Sequence, residues 1–197
     1  MKFDLYLASQ SPRRRELLQQ LGVRFKVHPA NVPERVQPGE SPSAFVQRLA
    51  MEKASAVWSS LGDGQRRPVL GADTVVCIDG HILGKPGDKQ AGIDMLQLLS
   101  GRTHDVVTGV ALVSQQHSVC VNVSQVTFRS LAIDEIERYW ASAEPIDKAG
   151  GYAIQGYAAA FITHLAGSYS GVMGLPLHET AQLLQSQQIP IWDKKNE

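Results

Sequence analysis

The sequence predicts an α/β fold built on a mixed sheet. Three observations carry that expectation. Helix start signals alternate with short apolar runs along the chain. Asp79-Gly80 separates two strand-like runs and marks a tight hairpin. Residues 106–113 and 119–128 read as long antiparallel strands rich in valine. No internal repeat, low-complexity tract or linker interrupts the 197 residues, so a single domain over 1–197 is expected.

The elements follow in order. Residues 3–8 read as a short buried strand. Ser11-Pro12 is a helix start, with Ser as N-cap and Pro at the first helical position. Leu17, Leu18 and Leu21 form its apolar stripe and Gly22 ends it. Residues 23–27 form a second strand, and 31–40 a loop holding Pro33, Pro38 and Gly39. Ser41-Pro42 repeats the start signal for a long helix running to about Leu61. After the polar turn at 62–68, residues 69–78 form an apolar strand, and 81–83 return from the hairpin. Asp88 caps a helix through Leu99. In the segment 119–128, Val119, Val121 and Val123 share one face, whereas Val126 and Phe128 take the other. That slip predicts a bulge near Ser124-Gln125. A short helix over 134–142, a Gly-rich irregular stretch turning strand-like through Leu165, and a helix over about 177–188 complete the chain.

Composition narrows the function. Nineteen Lys+Arg balance nineteen Asp+Glu, so the formal net charge is zero. A general nucleic-acid binder needs a basic footprint and is excluded, as are an acidic tail and a membrane-surface helix. With 43% hydrophobic and 19% charged residues, the chain can fold on its own core. A chain this long hides about 70% of its surface on folding. Cys77 and Cys120 sit in apolar runs and read as buried thiols in a reducing cytosol. The first ten residues carry Asp4 and no apolar leader, and no run of 18 apolar residues occurs. A cytoplasmic protein with no membrane partner is expected.

The usual phosphate-binding glycine motifs, HExxH and the EF-hand loop are absent. The chemistry must come from polar residues that break local rules. Arg13-Arg14-Arg15 puts three cations into a helix's first turn, against the helix dipole. An anion bound there would remove the conflict; a solvated basic turn is the bland alternative. Residues 100° apart cannot all reach one ligand. On a helical wheel with Phe45 at 0°, Lys53 falls at about 80°, inside an apolar arc from about 0° to 160°. It either snorkels or aims its ammonium at a buried anion, and the wheel alone does not choose. Asp73 lies within an apolar strand, where a carboxylate must be paired, hydrogen-bonded or metal-bound. Gly71 and Ala72 before it leave room for a ligand to approach. Lys85 stands on a rigid Gly-Lys-Pro turn, Glu34 lies in the 31–40 loop, and the Gln155 amide can both donate to and accept from a base edge. Two carboxylates with several cations are the kit for Mg²⁺-assisted attack on a polyphosphate. They do not choose between phosphate release, pyrophosphate release and nucleotide binding alone.

The motifs also carry a resemblance. Leu7-Ala8-Ser9-Gln10-Ser11-Pro12-Arg13-Arg14, followed by Glu16-Leu17-Leu18, resembles the N-terminal signature of the Maf family of nucleotide pyrophosphatases. Glu52-Lys53-Ala54, Gly71-Ala72-Asp73-Thr74, Gly84-Lys85-Pro86, Ser100-Gly101 and Gly174-Leu175-Pro176 match further family blocks in order. The resemblance implies a long twisted mixed sheet with flanking helices and two lobes around a cleft, similar to inosine triphosphate pyrophosphatases. It implies a nucleoside triphosphate diphosphatase, dependent on Mg²⁺ or Mn²⁺ and working as a homodimer. By it, Asp73 is the proton acceptor near the metal, and Glu34 a second metal carboxylate. Lys53 and Lys85 bind phosphates, and Ser9 and Arg14 belong to a phosphate loop. Arg13, Thr74 and Gln155 match the dTTP/UTP branch at three positions where a sibling preferring 7-methyl-GTP has Trp, Gln and Glu. The family often has two acids in the loop; here Pro33 precedes Glu34 and the second acid is lost. The readings kept beside this one are a pyrophosphatase of 7-methyl-GTP or another modified nucleotide, and a nucleotide-binding division regulator with little catalysis.

Overall fold

The computed structural model describes residues 3–192, so the ends of the expected 1–197 domain lie outside them. Seven strands form one mixed sheet: β1 (Leu5–Leu7), β2 (Phe25–Val27), β3 (Val69–Ile78), β4 (His81–Leu83), β5 (Thr103–Val113), β6 (His117–Phe128) and β7 (Ile162–Ala166). Their order is β2-β1-β3-β5-β6-β7, with β4 also on β3. The pairs β1–β2 and β1–β3 are parallel, and the rest antiparallel. The flanking helices are α1 (Pro12–Gln20), α2 (Pro42–Ser60), α3 (Lys89–Leu99), α4 (Ile133–Ala141), α5 (Tyr169–Met173) and α6 (Leu177–Ser186).

The capping signals work as the sequence implied. Ser11 Oγ accepts from Arg14 N, Ser41 Oγ from Ala44 N, and the Asp88 carboxylate from Ala91 N. Each satisfies one of the backbone donors a helix leaves unpaired at its start. The Asp79-Gly80 hairpin joins β3 to β4.

Two features of the sheet create the site. The first is a split along one edge of β3. On that side β1 pairs with Val69 and Leu70, and β4 with residues 76–78. Asp73 lies between the two partners. The second is a polar row across the sheet, on the face turned away from α2. Thr74 is paired with Thr108, and Thr108 with Asn122. One apolar core, with Leu7, Leu18, Leu70 and Leu112, lies to one side of the row. Another, with Val76, Leu96, Val126 and Phe128, lies to the other. This is the physical basis of two lobes: the β3–β5–β6 spine is continuous while its apolar cover is interrupted.

Two expectations are corrected. β6 has no bulge near Ser124-Gln125, because its pairing with β5 is unbroken from Thr103↔Thr127 to Val113↔His117. An irregularity occurs instead between Thr127 and Phe128, toward β7. The slip in the apolar pattern has another cause. Val119 and Val121 pack on the α2 side, whereas Val126 and Phe128 lie in the opposite core. The covered face changes while the register does not. The room at Gly71 is taken by protein. A Cβ there would meet the Ala50 carbonyl oxygen at 2.3 Å and Ala54 N at 2.9 Å. At Gly109 it would meet the Val46 carbonyl oxygen at 2.5 Å. Both glycines let the α2 backbone lie against the sheet. The five-residue α5 is an element that the sequence pattern did not predict.

Candidate active site

The split in the sheet opens into a cleft of about 1180 Å³. All nine residues singled out from the sequence line it: Ser9, Arg13, Arg14, Glu34, Lys53, Asp73, Thr74, Lys85 and Gln155. They come from the β1–α1 turn, the first turn of α1, the 31–40 loop, α2, β3, the turn after β4 and the irregular segment before β7.

On the α2 side, Lys53 and Asp73 face each other. Lys53 is 8% exposed and Asp73 6%, and Lys53 Nζ donates to Asp73 Oδ1 at 2.6 Å. The ammonium also donates to Glu34 Oε1, so it bridges both carboxylates. This settles the wheel's ambiguity: Lys53 aims inward. Burial pushes the Asp73 carboxyl above its ordinary range, against the pull of Lys53 and Arg14. Burial also raises Glu34, but Lys53, Lys85 and Arg14 outweigh it and hold Glu34 below the usual carboxylate range. Lys85 Nζ stands 3.9 Å from Glu34 Oε2 on an exposed turn.

On the opposite side sits Arg14. Its Nε donates to the Gly174 carbonyl at 2.7 Å, one Nη donates to Thr74 Oγ1 at 3.0 Å, and the other reaches Ser9 Oγ at 3.5 Å. Burial pulls its pKa down and Asp73 draws it back up. Arg13 is half-buried at the cleft wall, whereas Arg15 is exposed and does not line the cleft. Two of the three arginines therefore serve one cavity, as the 100° spacing requires. Gln155 is exposed at the wall. Its segment is anchored through Glu144, which accepts from Tyr139 Oη at 2.8 Å and Tyr157 N at 2.9 Å.

Two residues were missed. Lys148 lines the cleft, and its ammonium is lowered first by burial and then by Arg13. A lone cation before two glycines in an irregular stretch was the available signal. Thr108 is 1% exposed and bonds to Thr74. Its signal was a hydroxyl within the apolar run Val106-Val107-Thr108-Gly109-Val110, the same rule that exposed Asp73.

The cleft thus gathers Arg13, Arg14, Lys53, Lys85 and Lys148 around Asp73 and Glu34, with Asp147 as a third acidic residue on its wall. Such an array attracts a polyanion and places a buried carboxylate beside it. Among the described residues no group of three or more His, Cys, Asp or Glu is arranged to hold a metal alone. The acidic donors, Asp73 and Glu34, are hard oxygen ligands. They fit Mg²⁺ or Mn²⁺, which use one or two carboxylates and take further ligands from substrate phosphates.

Comparisons with known proteins show the family and the fold. A family model described as Maf-like protein matches residues 4–187. Over 188 residues the chain is 57% identical to a dTTP/UTP pyrophosphatase of Alkalilimnicola ehrlichii, covering 94% of this chain and 93% of the relative. Over 192 residues it is 50% identical to a dTTP/UTP pyrophosphatase of Saccharophagus degradans, covering 96% and 91%. Among solved structures, the Staphylococcus aureus Ham1 protein matches with a TM-score of 0.52 at 12% identity, over 94% of this chain and 100% of the other. That likeness is one of fold.

Proposed function

The chain belongs to the Maf-like protein family, and on that premise we propose that it hydrolyses dTTP and UTP to the nucleoside monophosphate and pyrophosphate. One observation carries the reading: the buried Asp73 carboxylate, held on Lys53 beneath a cleft rich in cations. The names of the relatives support pyrimidine substrates. Arg13, Thr74 and Gln155, the positions that resemble the dTTP/UTP branch, all line the same cleft.

In this mechanism water attacks the α-phosphorus. A new P–O bond forms, the bridging α–β P–O bond breaks, and pyrophosphate leaves with the electron pair. Asp73 takes the proton released by the water. It is the buried carboxylate of the cleft, held in place by Lys53. Lys53 has three N–H donors, of which Asp73 and Glu34 engage two. The third remains for a phosphate oxygen. Arg14 and Ser9 bind phosphate oxygens from the opposite wall, and Lys85 and Lys148 neutralise the outer phosphates. Asp73 and Glu34 would hold the divalent cation. When bound, it would withdraw charge from the phosphate oxygens and ease departure of pyrophosphate. The same reading has one domain over residues 1–197, acting as a homodimer in the cytoplasm on a nucleotide, with no nucleic-acid partner. Among the described residues no helix is long and apolar enough to cross a membrane.

The test is product analysis with dTTP, UTP and 7-methyl-GTP in the presence of Mg²⁺. Pyrophosphate with dTMP or UMP, and little turnover of 7-methyl-GTP, is the expected result. Orthophosphate with dTDP would contradict the reaction, preference for 7-methyl-GTP would contradict the specificity, and binding without product would favour a sensor.

A further inference from the structure

Thr74 and Thr108 face each other across β3 and β5, with their oxygens 2.9 Å apart. Thr108 Oγ1 also donates to the Gly171 carbonyl in α5 at 2.8 Å. A carbonyl can only accept, and a threonine has one hydroxyl hydrogen. The Thr108 hydrogen is therefore committed to Gly171, so Thr108 must accept from Thr74. The Thr74 hydrogen is then committed to Thr108, so Thr74 must accept in turn. The donor at its head is Arg14, whose Nη lies 3.0 Å away. The chain runs in one direction only: Arg14 to Thr74 to Thr108 to Gly171.

The two far ends of Arg14's attachments meet in one element. Its Nε reaches the carbonyl of Gly174, the C-cap of α5, directly. Its Nη reaches the carbonyl of Gly171, in the same short helix, through two hydroxyls. Nε fixes where the guanidinium sits, and the hydroxyl relay fixes the rotation of its plane. The remaining Nη is then turned toward Ser9 and the cleft.

We propose that Thr108, which is buried behind Thr74, is a positioning residue for the Arg14 guanidinium, and that Thr74 acts through Arg14. This rests on the proposed function only for the phosphate role of Arg14. In a Thr108→Val variant the Thr74 hydrogen loses its acceptor and the relay loses its direction. The charge of Arg14 stays in the cleft but its angle is released. Loss of angle shows in the transition state more than in ground-state binding.

The experiment compares the unsubstituted protein with Thr108→Val and Thr108→Ser. With dTTP, kcat of Thr108→Val should fall about tenfold while KM stays within about twofold. Thr108→Ser, which keeps the hydroxyl, should restore kcat. Thermal melting checks that both variants fold. A second readout is independent of turnover: the Arg14 Nη–H signals in nitrogen-15 NMR. They should be resolved in the unsubstituted protein and Thr108→Ser, and averaged by rotation in Thr108→Val. An unsubstituted protein inactive on dTTP would refute the function while the NMR comparison still decides the positioning role. Unchanged kcat, unchanged Arg14 signals, or equal losses in both variants would overturn the proposal.

Discussion

Gly71 links the packing of α2 to the chemistry of the cleft, and Gly71→Ala tests that link. The added Cβ would lie 2.3 Å from the Ala50 carbonyl oxygen and 2.9 Å from Ala54 N, both backbone atoms of α2. Ordinary contact begins near 3.4 Å, so the helix must retreat by about 1 Å. Overpacking of this kind costs about 2 kcal/mol, which lowers Tm by roughly 4–8 °C in a chain of this size. Lys53 rides on α2 and moves with it. Its 2.6 Å bond to Asp73 is stretched toward the limit of hydrogen bonding. Misplacement by about 1 Å near reacting atoms costs about 100-fold in rate. The assay is calorimetric melting together with kcat on dTTP, in Gly71→Ala and the unsubstituted protein. A lower Tm with kcat within twofold would refute the idea that this spacing sets the catalytic geometry. An unchanged Tm would refute the close approach itself.

Asp73→Asn keeps the shape and removes the proton acceptor; turnover should fall about 10²–10⁴-fold while cooperative melting persists, and near-normal turnover would sink the assignment. His104 is 2% exposed, and burial holds its pKa down at about 4 from 6.5. Between those values the unfolded chain binds a proton that the folded chain refuses. Its contribution is full above pH 6.5 and declines by about 3 kcal/mol as pH falls to 4. Urea titrations should show that slope flattened in His104→Gln; equal slopes would contradict it. Glu40 is held down at about 2 by its hydrogen bonds to Arg48. Its contribution is present above pH 4.5 and lost as pH falls toward 2, so Glu40→Gln should be less stable at neutrality and converge with the unsubstituted protein near pH 2. A constant difference between the two at every pH would be the contrary result.

Local rules reached far into this fold because the caps and turns are chemical. Ser11, Ser41 and Asp88 each accept the backbone hydrogen bond that their helix start required. Asp73 and Lys53 were legible because a charge in an apolar pattern needs a partner, and each is the other's. Tertiary placement was less legible. The change of face along β6 reads as a bulge in sequence, because periodicity does not report which layer covers a strand. Gly71 reads as space for a ligand, because a missing Cβ does not say what fills the gap. Thr108 and α5 stayed hidden because their roles depend on a pairing 34 residues apart and on a loop that returns from beyond β7.

The neutral composition hides a strongly polarised site, in which cations surround the buried Asp73 carboxylate. If Asp73 activates water for attack on the α-phosphorus, the new oxygen must enter the nucleoside monophosphate. Hydrolysis of dTTP in oxygen-18 water, followed by mass spectrometry of both products after a single turnover, reads that atom. Label in dTMP, with none in pyrophosphate, is the expected result. Label in pyrophosphate would place the attack at the β-phosphorus and contradict the assigned geometry.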